Sequence, residues 1–160
     1  AYEVFPYRLK IDAQNEELLI NKRKAAGLRP RAIVGALEKE RDRLLSMPFN
    51  PVKYAAELAA AYDLALLDAA KGKKYNPEGD VYLKTIYRFL TPMSRFRREY
   101  DMQSYAFDLA RLYAASAESD EAGDGRRFQF GPSRDNNKAI RIIDAVGNEQ
   151  FLVTIRFFSE

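Results

Sequence analysis

The sequence predicts an α+β fold that is mainly helical and ends in an antiparallel β-hairpin or small sheet. Three observations lead there. Apolar residues recur three or four apart from Pro30 to about Ser116, the pattern changes to alternation beyond Gly125, and Ala145-Val146-Gly147-Asn148 forms a tight-turn signal between two strand-like runs.

The first element is a strand. Tyr7, Leu9 and Ile11 alternate with Arg8, Lys10 and Asp12, so Phe5 to Asp12 reads as half-buried, with Pro6 at its start or on a sheet edge. From Asp12 to about Ala26 a helix is expected: Leu18 and Leu19 lie on one side, and Lys22, Arg23 and Lys24 occupy a last turn where cations suit the negative end of the helix dipole. Gly27 supplies its stop. Pro30 suits the first turn of a helix to Ser46, with Ile33, Val34, Leu37, Leu44 and Leu45 as the apolar stripe and the mixed charges from Glu38 to Arg43 on a solvated face. Residues 1–50 thus make an N-terminal strand and helical arm.

A longer helix follows from Pro51, capped by Asn50 and ended near Gly72, with Tyr54, Leu58, Ala61, Tyr62, Ala65 and Leu66 inward and many alanines that let a neighbour approach closely. Lys71 to Gly79 is loop. Asp80 caps a short helix to Leu90, which Thr91-Pro92 terminates. After the arginine-rich connector Met93 to Tyr100, Asp101 caps a helix to about Ser116 that buries Met102, Tyr105, Ala106, Leu109, Leu112 and Tyr113. Glu118 to Gly125 is acidic and aperiodic, and is expected to be a mobile surface loop. Strands are expected at Arg126–Phe130, Ala139–Asp144 and Gln150–Phe158. In the last, Phe151, Val153, Ile155 and Phe157 share one face, an apolar row that must be covered or offered to a partner.

From Pro51 onward this order, three helices followed by strands around the polar loop Gly131–Lys138, resembles a winged-helix domain covering residues 51–160. The resemblance makes Asp101–Ser116 the third helix and Gly131–Lys138 the wing. It implies either DNA binding through that helix and wing, or protein contacts as in accessory subunits of chromosome-organising ATPase complexes and related bacterial defence assemblies. The candidate nucleic-acid contacts are Arg95, Arg97 and Arg98 ahead of the third helix, Gln103 and Arg111 on it, and Arg134, Asn136, Asn137 and Lys138 in the wing. Gln103, Ser104, Asp108 and Arg111 form a thin set for reading bases, and Asp108 repels phosphate. The candidate partner-binding row is Phe151, Val153, Ile155 and Phe157, by addition of strands to another sheet.

Composition narrows the chemistry. The chain of 160 residues has no Cys and no His, which removes disulfides, thiolate and imidazole zinc sites, the Ser-His-Asp triad and the usual proton shuttle. The glycines match neither a P-loop nor a dinucleotide fingerprint. No cofactor and no metal are expected, and no apolar run is long enough to span a bilayer, so a cytoplasmic location without membrane contact is expected. Residues 1–100 carry 19 Lys and Arg against 13 Asp and Glu, and residues 101–160 carry 7 against 10, so the helical part is the basic part. Asp144 and Glu149 resemble the paired acids of metal-dependent nucleases on a hairpin, but such sites carry a lysine two positions past the second acid, where this chain has Phe151. The function expected is a non-catalytic accessory subunit of a larger assembly that binds partner protein and the DNA backbone without sequence preference. A pure protein-interaction or dimerisation module is the alternative, and a nuclease the third reading.

Overall fold

The computed structural model describes residues 1–25, 27–92, 100–131 and 136–160. They form an α+β chain of two compact units, Ala1–Phe49 and Asn50–Glu160.

The first unit is a four-stranded antiparallel meander, β1 (Tyr2–Val4), β2 (Tyr7–Asp12), β3 (Glu17–Ile20) and β4 (Arg23–Lys24), followed by helix α1 (Pro30–Ser46). The helix expected over Asp12–Ala26 is therefore two hairpins, with Ala26 outside the described residues. Local polar chemistry decides this. The Asp12 carboxylate accepts the backbone N–H groups of Gln14 (3.1 Å) and Asn15 (3.2 Å) and the Asn15 amide (3.0 Å), turning the chain where a helix would need those groups. Asn21 and Lys22 both adopt positive φ, 49° and 70°, the two-residue geometry whose twist matches paired strands. The Asn21 side chain then accepts the Arg8 N–H at 2.8 Å. Leu18 and Ile20, two apart, are the buried pair, and Leu19 points to the other face. Gly27, with no helix before it to stop, begins the passage to α1 at φ 149°.

Helix α1 has the expected bounds but a shifted inward stripe. Leu44 and Glu40 are buried and Ile33 and Leu37 half-buried, whereas Val34 and Leu45 face outward. Glu40 is accommodated because Arg43 forks onto it, Nη2 to Oε1 at 2.6 Å and Nε to Oε2 at 2.9 Å, with the Asn21 amide at 3.4 Å. Those bonds, Arg43 foremost, hold its carboxyl below the usual range.

The second unit opens with α2 (Pro51–Ala69), whose Asn50 cap accepts the Lys53 N–H at 3.1 Å. Strand β5 (Val81–Tyr82) and helix α3 (Leu83–Leu90) follow. Asp80 does not cap α3: two residues of strand intervene, Val81 and Tyr82 pairing with Ile155 and Thr154, and the helix starts where the Leu83 N–H meets the Val153 carbonyl at 2.9 Å. Helix α4 (Met102–Ala115) is capped as expected, the Asp101 carboxylate accepting the Ser104 N–H at 2.9 Å. Strands β6 (Arg127–Gly131), β7 (Ile140–Ile143), β8 (Glu149–Leu152) and β9 (Thr154–Phe158) complete it. They make a three-stranded sheet, β5-β9-β6, and a separate hairpin, β7-β8.

Two expectations change here. The run Gln150–Phe158 is two strands in two sheets, divided at Val153, and the division flips which parity is inward: Leu152 is buried before it, Ile155 and Phe157 after it. The acidic segment 118–125 is bound to its surroundings. Ala122 is buried, its N–H meets the Arg126 carbonyl at 2.7 Å, and the Gly123 N–H meets Val52 of α2 at 3.2 Å, where a side chain at 123 would press on Val52 and Ala56. The core beneath is Tyr54, Leu58 and Tyr62 of α2, Leu83, Ile86 and Leu90 of α3, Tyr105, Leu109 and Leu112 of α4, and Phe128, Ile155 and Phe157 of the sheet.

Candidate functional site

The expected partner-binding row does not form. Val153, Ile155 and Phe157 are buried within the second unit, Phe157 against the rings of Tyr62 (5.1 Å between centroids) and Phe128 (6.1 Å), so these three side chains belong to the core. Only Phe151 is outward, 56 % exposed on β8 beside its cross-strand neighbour Arg141. The cause is the change of sheet at Val153, which no period-of-two pattern in the sequence announces.

Of the candidate nucleic-acid contacts, Arg95, Arg97, Arg98 and Arg134 lie outside the described residues, as does the side chain of Asn136. Gln103 and Arg111 are half-buried on α4, and the Arg111 guanidinium sits 4.4 Å from the centroid of the Phe107 ring on its own helix. Strand β7 packs on α4, with Ile140 and Ile142 buried on the face they share with Leu152, so the hairpin covers a side of α4 while α2 covers another.

Asn137 and Lys138 lie exposed on a single 3₁₀ turn, Asn136–Lys138. That turn is tied to the start of α3. The Lys84 ammonium donates to the Asn137 carbonyl at 2.9 Å, and the Lys138 ammonium lies 4.1 Å from the centroid of the Tyr82 ring, a cation–π contact. Lys84 and Lys138 thus flank one corner where β5 passes into α3. Sequence reading missed Lys84 and Tyr82 because 53 positions separate Lys84 from its partner.

The two acids of the hairpin are already engaged, Asp144 in the turn and Glu149 across the strands. One Asp144 oxygen accepts the N–H groups of Val146 (3.0 Å) and Asn148 (2.8 Å), and the other accepts the Gln150 amide at 3.2 Å. These bonds, the Asn148 N–H foremost, lower its pKa, while Glu149 pairs with Arg141 across the strands. Among the described residues, no three Asp or Glu side chains are grouped to hold a metal ion.

A chain of hydroxyls in the interior also escaped sequence reading. The Tyr54 and Tyr100 hydroxyls are 2.9 Å apart, Tyr100 donates to the Asp108 carboxylate at 2.9 Å, Tyr87 donates to the Tyr100 carbonyl at 2.8 Å, and Tyr105 donates to the Leu83 carbonyl at 2.8 Å. Burial pushes all four phenols above their ordinary range, and at Tyr100 the Asp108 charge adds to it. Asp108 therefore serves the joint of α2 and α4.

No helix among the described residues is long and apolar enough to cross a membrane. No family model, curated protein or solved structure matches the chain.

Proposed function

We propose that the chain is a non-catalytic accessory subunit whose second unit is a winged-helix-like domain, joining a larger assembly by protein contacts and touching DNA only through its backbone. The element order α2, β5, α3, α4, β6, β9 supports the first part, because the strand between the first two helices pairs with the last strand, which in turn pairs with the strand after the third helix.

The observation that carries the functional reading is the β7-β8 hairpin lying on α4. In a winged-helix arrangement the third helix enters the major groove. Here that helix is flanked by packing on two sides, and its polar residues Gln103 and Arg111 are half-buried. Base reading is disfavoured and backbone contact remains, through Lys84, Lys138 and the Asn137 amide, joined by Arg95, Arg97, Arg98 and Arg134 of the adjoining segments. Residues 50–160 carry 16 Lys and Arg against 16 Asp and Glu, so the field that draws DNA is local and weak, and protein contact is the primary role.

Fluorescence anisotropy with unrelated duplexes, from low to physiological salt, tests this. Binding that is similar across sequences and fades steeply with salt is expected. No binding at low salt removes the DNA component and leaves a pure protein-interaction module. A strong preference for one sequence overturns the backbone-only reading.

A further inference from the structure

One helix serves the four strands of the first unit. With strands about 4.8 Å apart and a helix about 10 Å across, α1 can cover roughly half of that sheet's face. The covered half holds Leu18 and Ile20, both buried. The register puts Tyr2, Val4 and Ile11 on the same face, and all three are largely exposed. Which flank of α1 borders this open half follows from its neighbours. Glu40, with Arg43 forked onto it, leans toward Asn21 and Arg23 at the β3-β4 end. Of the α1 charges that bear on Tyr7 of β2, Arg41 acts most strongly, ahead of Glu40 and Asp42, which puts the Arg41 flank toward β2.

On that second flank positions 34, 38, 41 and 45 stack along the helix. Val34 is 54 % and Leu45 60 % exposed, with the charged side chains of Glu38 and Arg41 between them. The column is self-complementary when reversed: Val34 falls opposite the partner's Leu45, and Glu38 opposite the partner's Arg41, with both pairs repeated by a two-fold axis. The sheet edge offers a poorer match, since antiparallel pairing of two β1 strands about Glu3 sets like charges face to face.

We infer that a second copy of this chain docks on the first unit, α1 against α1 in antiparallel order, filling the apolar step formed by Val34 and Leu45 beside Tyr2, Val4 and Ile11. The inference goes beyond the proposed function and stands on residues 1–49, so it holds whether or not the chain binds DNA. Among the described residues Arg41 pairs with Asp42, its exposed neighbour outside this column, at 3.1 Å, a pair of the kind worth little in water.

Sedimentation equilibrium of the full chain from micromolar to submillimolar concentration is the test. A reversible monomer–dimer equilibrium is expected. Glu38→Arg alone and Arg41→Glu alone each raise the dissociation constant at least about tenfold, because each sets like charges together. The double reversal restores association, and Leu45→Lys abolishes it. These positions are exposed, so far-UV circular dichroism stays unchanged in every variant. A monomer at all concentrations overturns the inference. A dimer indifferent to both single reversals, or a double reversal no tighter than either single one, overturns it too.

Discussion

Arg126 reaches across 63 positions of chain to Asp63 of α2 with both arms of its guanidinium, Nη1 to Oδ1 at 2.8 Å and Nη2 to Oδ2 at 2.9 Å. The same group holds Asp124, Nη2 to Oδ2 at 2.7 Å, and lies 5.6 Å from the Phe157 ring centroid. A segment that reads as loose acidic loop is thereby pinned to the longest helix. Arg126→Met should leave Asp63 and Asp124 facing each other without their shared cation. Because the pair is partly exposed, a loss of about 1–2 kcal/mol is expected in urea unfolding. Arg127→Met, which breaks the more exposed contacts to Asp120 and Glu160, should shift the midpoint much less.

The Tyr54–Tyr100–Asp108 chain predicts both a coupling and an alkaline limit. Tyr100→Phe withdraws the donor to Asp108 and the neighbour of Tyr54 together, at a cost of about 1–3 kcal/mol. Tyr54→Phe and Tyr100→Phe combined should cost less than their sum, since the second removes a partner already lost. Burial raises the folded-state pKa of Tyr54, Tyr100 and Tyr105 above the unfolded value. Their contribution is therefore fully present below about pH 10 and is lost as pH rises beyond it, because the unfolded chain ionises first. Ultraviolet titration should show these phenols ionising only as circular dichroism reports unfolding. Free titration in the folded state would contradict the burial.

Gly131 faces Thr154 across the β6-β9 pair, and a methyl group at 131 would collide with the Thr154 hydroxyl. Thr154 is itself buried and β-branched, so it has little room to turn away. Gly131→Ala should destabilise by about 1–3 kcal/mol. Adding Thr154→Ala should return much of that loss, measured by thermal unfolding. A double variant no more stable than Gly131→Ala would show that the strain lies elsewhere.

What sequence reading reaches in this chain is what neighbours along the chain decide. Pro30, Pro51, Asn50 and Asp101 act within one helical turn, and the helices they start lie where expected. The turn at Ala145–Asn148 is equally local, set by Asp144 and by Gly147 at φ 93°. Leu18 and Leu19 misled because two adjacent leucines satisfy a helix or a strand, and the Asp12 turn outweighed the cations at 22–24. The site suffered more. Whether Ile155 and Phe157 face a partner or the core depends on Val153 changing sheets to meet Leu83, a contact across 70 positions that no local pattern encodes.

Asp144 should behave as a turn residue and not as a metal ligand. Asp144→Asn keeps an oxygen for the Val146 and Asn148 N–H groups, so the β7-β8 amides should stay protected from hydrogen exchange, whereas Asp144→Ala should release them. Its pKa is depressed in the folded state, so its contribution is present above the ordinary carboxylate range and is lost as pH falls through the lowered value. Exchange at Asn148 should accelerate relative to its intrinsic rate as the solution is acidified, and the Asp144→Asn variant should lack that dependence. Magnesium added in excess should leave the exchange rates unchanged, and a protective effect that depends on Asp144 would revive the nuclease reading.

Lys84 and Lys138 flank one corner of the second unit, one held by the Asn137 carbonyl and the other by the Tyr82 ring. Neither the Asn137 carbonyl nor the Tyr82 ring carries a formal charge, and on the proposed function both lysines meet phosphate. Each lysine that does so adds roughly one to the slope of log affinity against log salt. Lys84→Ala and Lys138→Ala should therefore each weaken duplex binding uniformly across sequences and flatten the slope by about one. Gln103→Ala and Arg111→Ala, on the helix that the hairpin covers, should change neither affinity nor slope. An unaltered slope in the lysine variants, or a loss of sequence preference on removing Gln103, would count against this corner as the proposed DNA contact and favour α4.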